Sequence, residues 1–380
     1  MKINILGGGP AGLYAAYLLK RQDPGASVHV FEQNAAHTTF GFGVVFSDQA
    51  LEFLRANDAE TLALIVSGLE TWQDIELRIH GQTIRIDGVG FTAIARLKLL
   101  EILRQRAESV GAVLINSRVI GSLGDMGDAD LIIGADGVNS LVRRTHEAAF
   151  GTQIDYFDNR FAWFGATKPF DRMTQTFKRS PQGSFNAHHY RYSDSMSTFL
   201  VEVDEPTFDR IGFAHMTEEA SRQYCEEIFA EELAGASLVT NKSMWRRFPK
   251  ISTTTWSTGT CVIVGDASRT AHYSIGSGTR LALEDVQALA KAIAEHPGSI
   301  PEALRSFEAE RRPIVEKITA AANRSALWYD QFAQHMELPD WEFAMRYIGR
   351  SGRVDPERLR NMSPQFVADY EAWRSAQVSP

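Results

Sequence analysis

Cysteine is scarce. Only Cys225 and Cys261 occur in 380 residues. Their number and spacing offer no disulfide framework, no CxxC redox pair and no metal site. Two such thiols fit a reducing cytoplasm and read as buried structural residues. No apolar run approaches the ~18 residues of a membrane span. The opening MKINILGGG has no signal-peptide apolar region or cleavage site. Positive charge is not in excess either: 39 Lys and Arg stand against 47 Asp and Glu, a formal net charge of −8. A general nucleic-acid surface is therefore not expected. Internal repeats, low-complexity linkers, metal-ligand clusters and nucleophile triads are also missing. What remains is ordinary for a globular protein of one or two domains, with 44% hydrophobic and 23% charged residues.

The chain opens as a βαβ unit. Residues 2–6 form an apolar strand, LYAAYLLKRQ is helical, and SVHVFE (27–32) is a second strand by its β-branched and aromatic content. IELRIHGQTIRI (75–86) alternates on both sides of His80-Gly81 and predicts a hairpin. Residues 96–109 read as a helix, and ADLIIGADG (129–137) as a buried strand ending in a turn. From Arg160 to Val203 the text turns to aromatics, Thr and Ser, which predicts antiparallel strands of a separate sheet. A helix is expected over 217–233. TCVIVGD (260–266) returns to the buried-strand type before a long helix to about Glu295, and the last 70 residues read as mostly helical.

Gly7, Gly9 and Gly12 have the G-x-G-x-x-G spacing between strand and helix, followed by Pro10-Ala11 inside the loop. The first glycine permits a tight turn, the second lets backbone approach a pyrophosphate, and the third lets helix and strand pack closely. Glu32 ends the second strand twenty residues after Gly12, where a carboxylate can accept from a ribose hydroxyl. The spacing alone does not choose between NAD and FAD. Two later stretches repeat the theme of a strand ending in Gly and Asp. Asp136 sits in Gly134-Ala135-Asp136-Gly137. Asp266 begins GDASRTAHYSIGSGT, in which Gly276, Gly278 and Thr279 open a helix whose free N–H groups face a ligand.

These segments, in this order, resemble the three fingerprints of the class A FAD-dependent aromatic monooxygenases, the para-hydroxybenzoate hydroxylase type. TTFGFGVVFSD (38–48), Arg96 with Leu99, Leu103 and Ala107, and FEAERRP (307–313) agree with it. GFGVVFS, HYSIGSGT, WFGATKPFD and YSDSMSTFLVEV look like the branch with salicylyl-CoA 5-hydroxylase and 2-aminobenzoyl-CoA monooxygenase. The violacein-pathway tryptophan-derivative hydroxylase is similar too. RSGRVDPERLR (350–360) looks like the acyl-CoA members, and no reductase domain is expected after it. Arg269, His272-Tyr273 and Gln33 depart from what many relatives carry at those places.

The resemblance implies an α/β fold: a Rossmann-type GR2 FAD-binding domain with an inserted antiparallel β-sheet substrate domain and a helical C-terminal segment. The expected division is 1–155 with 256–330 for FAD, 156–255 for substrate, with the hairpin 75–87 a candidate to join it, and 331–380 for the C-terminal helices. Non-covalent FAD would be held by Gly7, Gly9, Pro10, Ala11, Gly12, Glu32, Gln33, Phe42, Gly43, Arg96, Asp136, Asp266, Gly276, Gly278 and Thr279. NADH or NADPH would donate hydride, O₂ would give a flavin C4a-hydroperoxide, and one oxygen would pass to a ring activated by hydroxyl or amine.

His272 is the expected catalytic group, weighed against a histidine that only bonds backbone. Val45, His188, Tyr190, Tyr273 and Arg246 are the expected substrate contacts. Trp163, Phe164 and Phe199 read as sheet core. For a CoA thioester such as salicylyl-CoA, the phosphates would need cations, and Arg246, Arg247 and Lys250 or Lys178 and Arg179 are the candidates. A free tryptophan- or indole-derived or other phenolic substrate, a non-catalytic flavin or nucleotide binder, and a flavin dehydrogenase or halogenase are the rivals. No nucleic acid, membrane or metal partner is expected, and the chain would act as monomer or homodimer.

Overall fold

The computed structural model describes residues 1–47 and 50–378, without the Val378 side chain; Asp48, which closes the TTFGFGVVFSD stretch, lies outside the described residues, as do Ser379 and Pro380. The first strand, Lys2–Leu6, lies between two parallel neighbours, Ser27–Phe31 and Leu131–Gly134. Beyond these lie Val113–Ile115 on one side and Cys261–Ile263 on the other. Parallel strands are covered on both faces. Here that shows as fully buried Ile3, Ile5, Leu131, Ile133, Val262 and Ile263. The helix Pro10–Gln22 starts with Pro at its first turn and ends on Lys20 and Arg21, both suited to the helix dipole. Ala11 to Leu19 are all buried, because Arg96–Ser109 and Gly278–Glu295 pack on this helix as well as the sheet does.

A second sheet holds eight strands. Its centre is the antiparallel set Gln153–Ala166, Ser197–Val203, Gly183–Arg191 and Met173–Ser180. Ile75–Ile79 adds to Met173–Ser180 in parallel and carries its hairpin partner Gln82–Ile86 into the same sheet. His80 and Gly81 make the hairpin turn, both at positive φ. The register aligns Gln175, His188, Leu200 and Trp163 in one row. The next row, Thr174, His189, Phe199 and Phe164, points to the opposite face. That second face is apolar and packs with Cys225, Phe229 and Leu233. Phe164 and Phe199 are therefore core, and His189 is core too, its Nε2 3.0 Å from the Thr176 hydroxyl.

The first face looks toward the nucleotide-type sheet and encloses the site. A three-stranded sheet, Gly43–Ser47, Phe91–Ala95 and Glu70–Trp72, closes one flank. The helices Ile300–Asp330 and Asp340–Gly349 close another. Their Trp328, Phe343 and Tyr347 pack on Leu77, Ile84 and Phe177, so the C-terminal helices are part of the sheet's core and not an appendage.

Candidate cofactor and substrate site

The three glycines of the N-terminal loop have three different surroundings. Gly7 sits at φ +105°, and a Cβ there would come within 2.3 Å of the Ala135 carbonyl oxygen. A Cβ on Gly12 would lie 1.9 Å from the Gly7 carbonyl oxygen. Both glycines are required by the protein's own packing. Gly9 differs: a Cβ there would meet nothing within 4 Å. Its open side faces two cavities, of about 310 and 140 Å³, which share Gly9 and Arg96 in their walls. One elongated site thus runs past the helix N-terminus, where unpartnered N–H groups suit a diphosphate.

The smaller cavity suits an adenosine end. Glu32 Oε2 accepts from the Gly8 N–H at 2.7 Å, and Oε1 accepts from the Asn34 backbone and side chain at 2.8 and 2.6 Å. The carboxylate is thereby fixed, with Asn34, Arg96 and Arg104 around the same space. Gln33 is exposed and lines neither cavity. It lies beyond the end of the strand at Phe31, and its neighbours Glu32 and Asn34 line the smaller cavity instead.

Pro10, Ala11, Gly43, Val45, Asp266, Gly276, Gly278 and Thr279 all line the larger cavity. Asp266 projects into it; its weakly polar surroundings raise the carboxyl above its usual value, with Arg269 and Arg96 opposing. Arg96 Nε donates to Thr39 Oγ1 at 3.0 Å and its amide to the Phe42 carbonyl. Burial lowers the Arg96 pKa, and Asp266 pulls it back. Ser277 Oγ is buried at this wall without a partner. The open face at Gly9, the orphan hydroxyl and the opposite charges of Arg96 and Asp266 in the same wall fit a dinucleotide with a polar chain between its ends, as FAD has.

Several expected contacts act differently. Asp136 is one layer behind the wall: its Oδ2 accepts from the Leu141 N–H at 2.6 Å and caps the next helix, while Oδ1 is buried unpartnered. Phe42 packs against Gly165 and serves through its carbonyl. Trp163, expected in the core, lines the cavity. Arg269 forms a buried ion pair with Asp285 at 2.5 Å and faces away from the cavity.

His272 is a correction. It does not line the cavity. Its ring is packed among Tyr273, Phe248 and Phe157, with centroids 4.0, 4.8 and 5.4 Å away. Nδ1 accepts from the Ser274 N–H at 3.3 Å, capping the turn. Burial lowers its pKa to about 3, so it is a neutral structural ring near pH 7. The neighbouring Tyr273 reaches the cavity instead. Arg246 is a second correction: it is exposed on an outer strand, with its guanidinium 5.8 Å from the Phe161 ring centre, and lines neither cavity of the site. Lys178 is paired with Glu232 and Glu231, Arg179 with Glu337, and Arg247 with Asp158, so these cations are already neutralised.

His188 and Tyr190 do line the cavity. Tyr190 donates to the Gly43 carbonyl at 3.1 Å. His188 Nε2 is 3.3 Å from Glu202 Oε2, to which Tyr273 donates at 2.8 Å. Glu202 was not singled out from sequence, nor were Gln175, Tyr347 and Arg350, which share the wall. The signal for Glu202 was present: a carboxylate inside the strand STFLVEV is a buried charge that needs partners. Arg350 stacks 3.9 Å over the Tyr347 ring and donates to the Ser274 carbonyl at 3.1 Å. The rest of the substrate end is apolar, with Val45, Phe91, Met173, Leu200 and Phe248.

A family profile described as FAD binding domain matches residues 89–322, and one described as NAD(P)-binding Rossmann-like domain matches 5–39. The chain is similar to the salicyloyl-CoA 5-hydroxylase of a Streptomyces species, at 38% identity over 98% of this chain and 74% of that protein. It is 37% identical to the 3-hydroxy-4-methyl-anthranilyl-[aryl-carrier protein] 5-monooxygenase of Streptosporangium sibiricum, over 90% of both chains. The protodeoxyviolaceinate monooxygenase of Chromobacterium violaceum is 33% identical over 94% of this chain and 96% of its own.

Proposed function

The chain belongs to the FAD-dependent aromatic monooxygenases, and on that premise we propose that it hydroxylates the activated ring of an aromatic thioester, an acyl-CoA such as salicyloyl-CoA, at the 5 position. FAD, when bound, supplies the redox chemistry, taking a hydride from NADH or NADPH and activating O₂. This chain's residues bind, orient and exclude water. Gly9, Pro10 and Ala11 would face the diphosphate, Glu32, Asn34 and Arg104 the adenosine, Asp266 the ribitol, and Gly276 to Thr279 the ring end.

The observation that carries the reading is a polar corner, His188, Gln175 and Tyr273, set against the apolar side chains Val45, Phe91, Met173, Leu200 and Phe248 at the substrate end of the cavity, beside the Gly276–Thr279 turn. Apolar walls suit a flat ring, and one polar corner orients one ring substituent. Two of the relatives are named for substrates carried as thioesters, on CoA and on an aryl-carrier protein. The cations for a CoA diphosphate would be Arg353 and Arg358. They follow the wall residue Arg350 in sequence and pair with no carboxylate among the described residues. Burial and the nearby Arg358 and Arg280 lower the Arg353 pKa, as expected where positive charge is concentrated.

The test is NADH or NADPH oxidation with salicyloyl-CoA against free salicylate, with mass analysis of the product. Stimulation by the thioester and a gain of one oxygen are expected. Equal or greater stimulation by the free acid overturns the thioester reading. A free tryptophan- or indole-derived acid is the second reading, favoured by the violacein-pathway relative, and belongs in the same screen.

A further inference from the structure

Glu202 lies on the strand Ser197–Val203 and is 1% exposed. No Lys or Arg among the described residues forms an ion pair with it. A buried carboxylate without a fixed cation is tolerated only when hydrogen bonds replace its water. Glu202 has three such bonds. Asn159 Nδ2 donates to Oε1 at 2.7 Å, and Tyr273 and His188 reach Oε2 at 2.8 and 3.3 Å. Burial, the largest single influence, raises its pKa, but His188, His272 and Asn159 together lower it, and the net shift is downward. Burial lowers the His188 pKa, opposed by Glu202 and reinforced by Arg350. Near neutral pH the pair is therefore carboxylate and neutral imidazole.

That charge state fixes the tautomer. A carboxylate only accepts, so His188 Nε2 must carry the proton and donate it. Nδ1 is left with its lone pair and has no partner in the described protein, on a ring that lines the cavity. Gln175 stands next to His188 in register. Its Oε1 accepts from Tyr329 OH at 3.2 Å, which leaves its NH₂ to donate. An acceptor and a donor side by side complement a ring hydroxyl, which donates once and accepts twice.

We propose that His188 Nδ1 is the base that takes the proton of the substrate's ring hydroxyl, and that Glu202 is the positioning residue that holds His188 in the required tautomer. The inference rests on the aromatic-hydroxylase reading and names the group that activates the ring. The hydroxyl O–H bond breaks, the Nδ1–H bond forms, and no electrons change centres. The products are a phenolate and an imidazolium whose charge Glu202 balances. Gln175 donates to the phenolate oxygen, and the Arg350 cation lies on the same wall. The other titratable groups facing this pair are Tyr273, Tyr329, Asp330 and His272. His272 stays neutral, and burial holds both tyrosines far above neutral pH.

Three measurements test it. In substrate-free holoenzyme, ¹⁵N-histidine NMR, assigned with His188→Gln, should show His188 as the neutral Nε2–H form. Glu202→Gln should weaken that preference. A neutral Nδ1–H form in the wild type overturns the proposal whatever the substrate is. In oxidised holoenzyme without nicotinamide, bound salicyloyl-CoA should show phenolate absorbance at neutral pH that drops several-fold in Glu202→Gln. Hydroxylation should slow by about 10²-fold or more in His188→Gln, with oxygen diverted to peroxide. Glu202→Asp should recover part of the loss seen in Glu202→Gln. Should Glu202→Gln not fold, His188→Gln carries the optical and kinetic tests alone. Wild-type hydroxylation with unchanged rate, coupling and pH profile in the variants overturns the relay but keeps the aromatic-hydroxylase reading. Absence of any hydroxylated product from the wild type overturns that reading.

Discussion

Gly9→Ala and Gly12→Ala add the same methyl group three residues apart and should have opposite consequences. At Gly9 the backbone lies at φ −76° and ψ −178°, which alanine adopts freely. The added Cβ meets no protein atom within 4 Å. The flavin-free fold should be unharmed, and fewer unfolded conformations should stabilise it by about 0.4–1 kcal/mol. The methyl instead takes space that a diphosphate needs at the helix N-terminus. Loss of one charge-assisted hydrogen bond costs roughly 1.5–3 kcal/mol, or roughly 10- to 150-fold in the FAD dissociation constant. At Gly12 the methyl would stand 1.9 Å from the Gly7 carbonyl, so the helix must move off the strand and the fold itself should weaken. The assay is thermal unfolding of flavin-free protein beside a flavin-fluorescence titration of each variant. A Gly9→Ala protein with wild-type FAD affinity, or with a markedly lower melting temperature, refutes the assignment of that open face to the cofactor.

His272→Ala should lower stability by about 2–4 kcal/mol, in the manner of a core truncation, because its ring fills space between Phe157, Phe248 and Tyr273. The pH profile of its remaining turnover should match wild type. Stability should fall on acidification: the folded His272 pKa of about 3 lies below the unfolded value of ~6.5. The unfolded chain therefore binds the proton first as pH drops below ~6.5, and stability declines by up to about 1.4 kcal/mol per pH unit until pH nears 3. Urea denaturation at neutral and mildly acidic pH should show a smaller slope in His272→Phe than in wild type. Arg353→Ala should raise KM for salicyloyl-CoA several-fold with little change in kcat, and steady-state kinetics would show it. An unchanged KM removes Arg353 from the phosphate site.

The cofactor half of the molecule was legible because it is written in backbone geometry. Gly12 is needed by its 1.9 Å approach to the Gly7 carbonyl within one strand-turn-helix unit, and Gly7 by its turn at φ +105°. Short-range spacing reports such contacts directly. Gln33 and Asp136 failed for a related reason. Each is one residue from a wall position: Gln33 is exposed between Glu32 and Asn34, and Asp136 is taken up as a helix cap. His272 shows the limit of the same logic. Its turn is at the site, but Tyr273 took the cavity and left the histidine to cap Ser274. Spacing located the turn and could not say which of two adjacent rings faced in. The basic pairs failed because their carboxylate partners are distant in sequence: Lys178 meets Glu232, and Arg179 meets Glu337.

The substrate half is written in tertiary register. Glu202 gathers Asn159 from one strand, His188 from another and Tyr273 from the turn before the long helix, across sequence separations of 43, 14 and 71 residues. Gln175 joins only because Met173–Ser180 pairs with Gly183–Arg191 in one register. A one-residue slip would send His188 to the apolar face and bring His189 to the cavity. His189 has no carboxylate partner in that row: its neighbours are Thr174 and Phe199, whereas Glu202 lies two residues from Leu200 on the His188 face. The double histidine thus acquires two fates from one alternation, one ring neutral in the core and the other held by a carboxylate at the cavity. Because Ser197–Val203 is bonded on both edges, by Gln153–Ala166 and Gly183–Arg191, the position of Glu202 is set by the sheet's centre. Substitution there should therefore alter proton handling at the ring while leaving the glycine loop, and with it FAD affinity, unchanged.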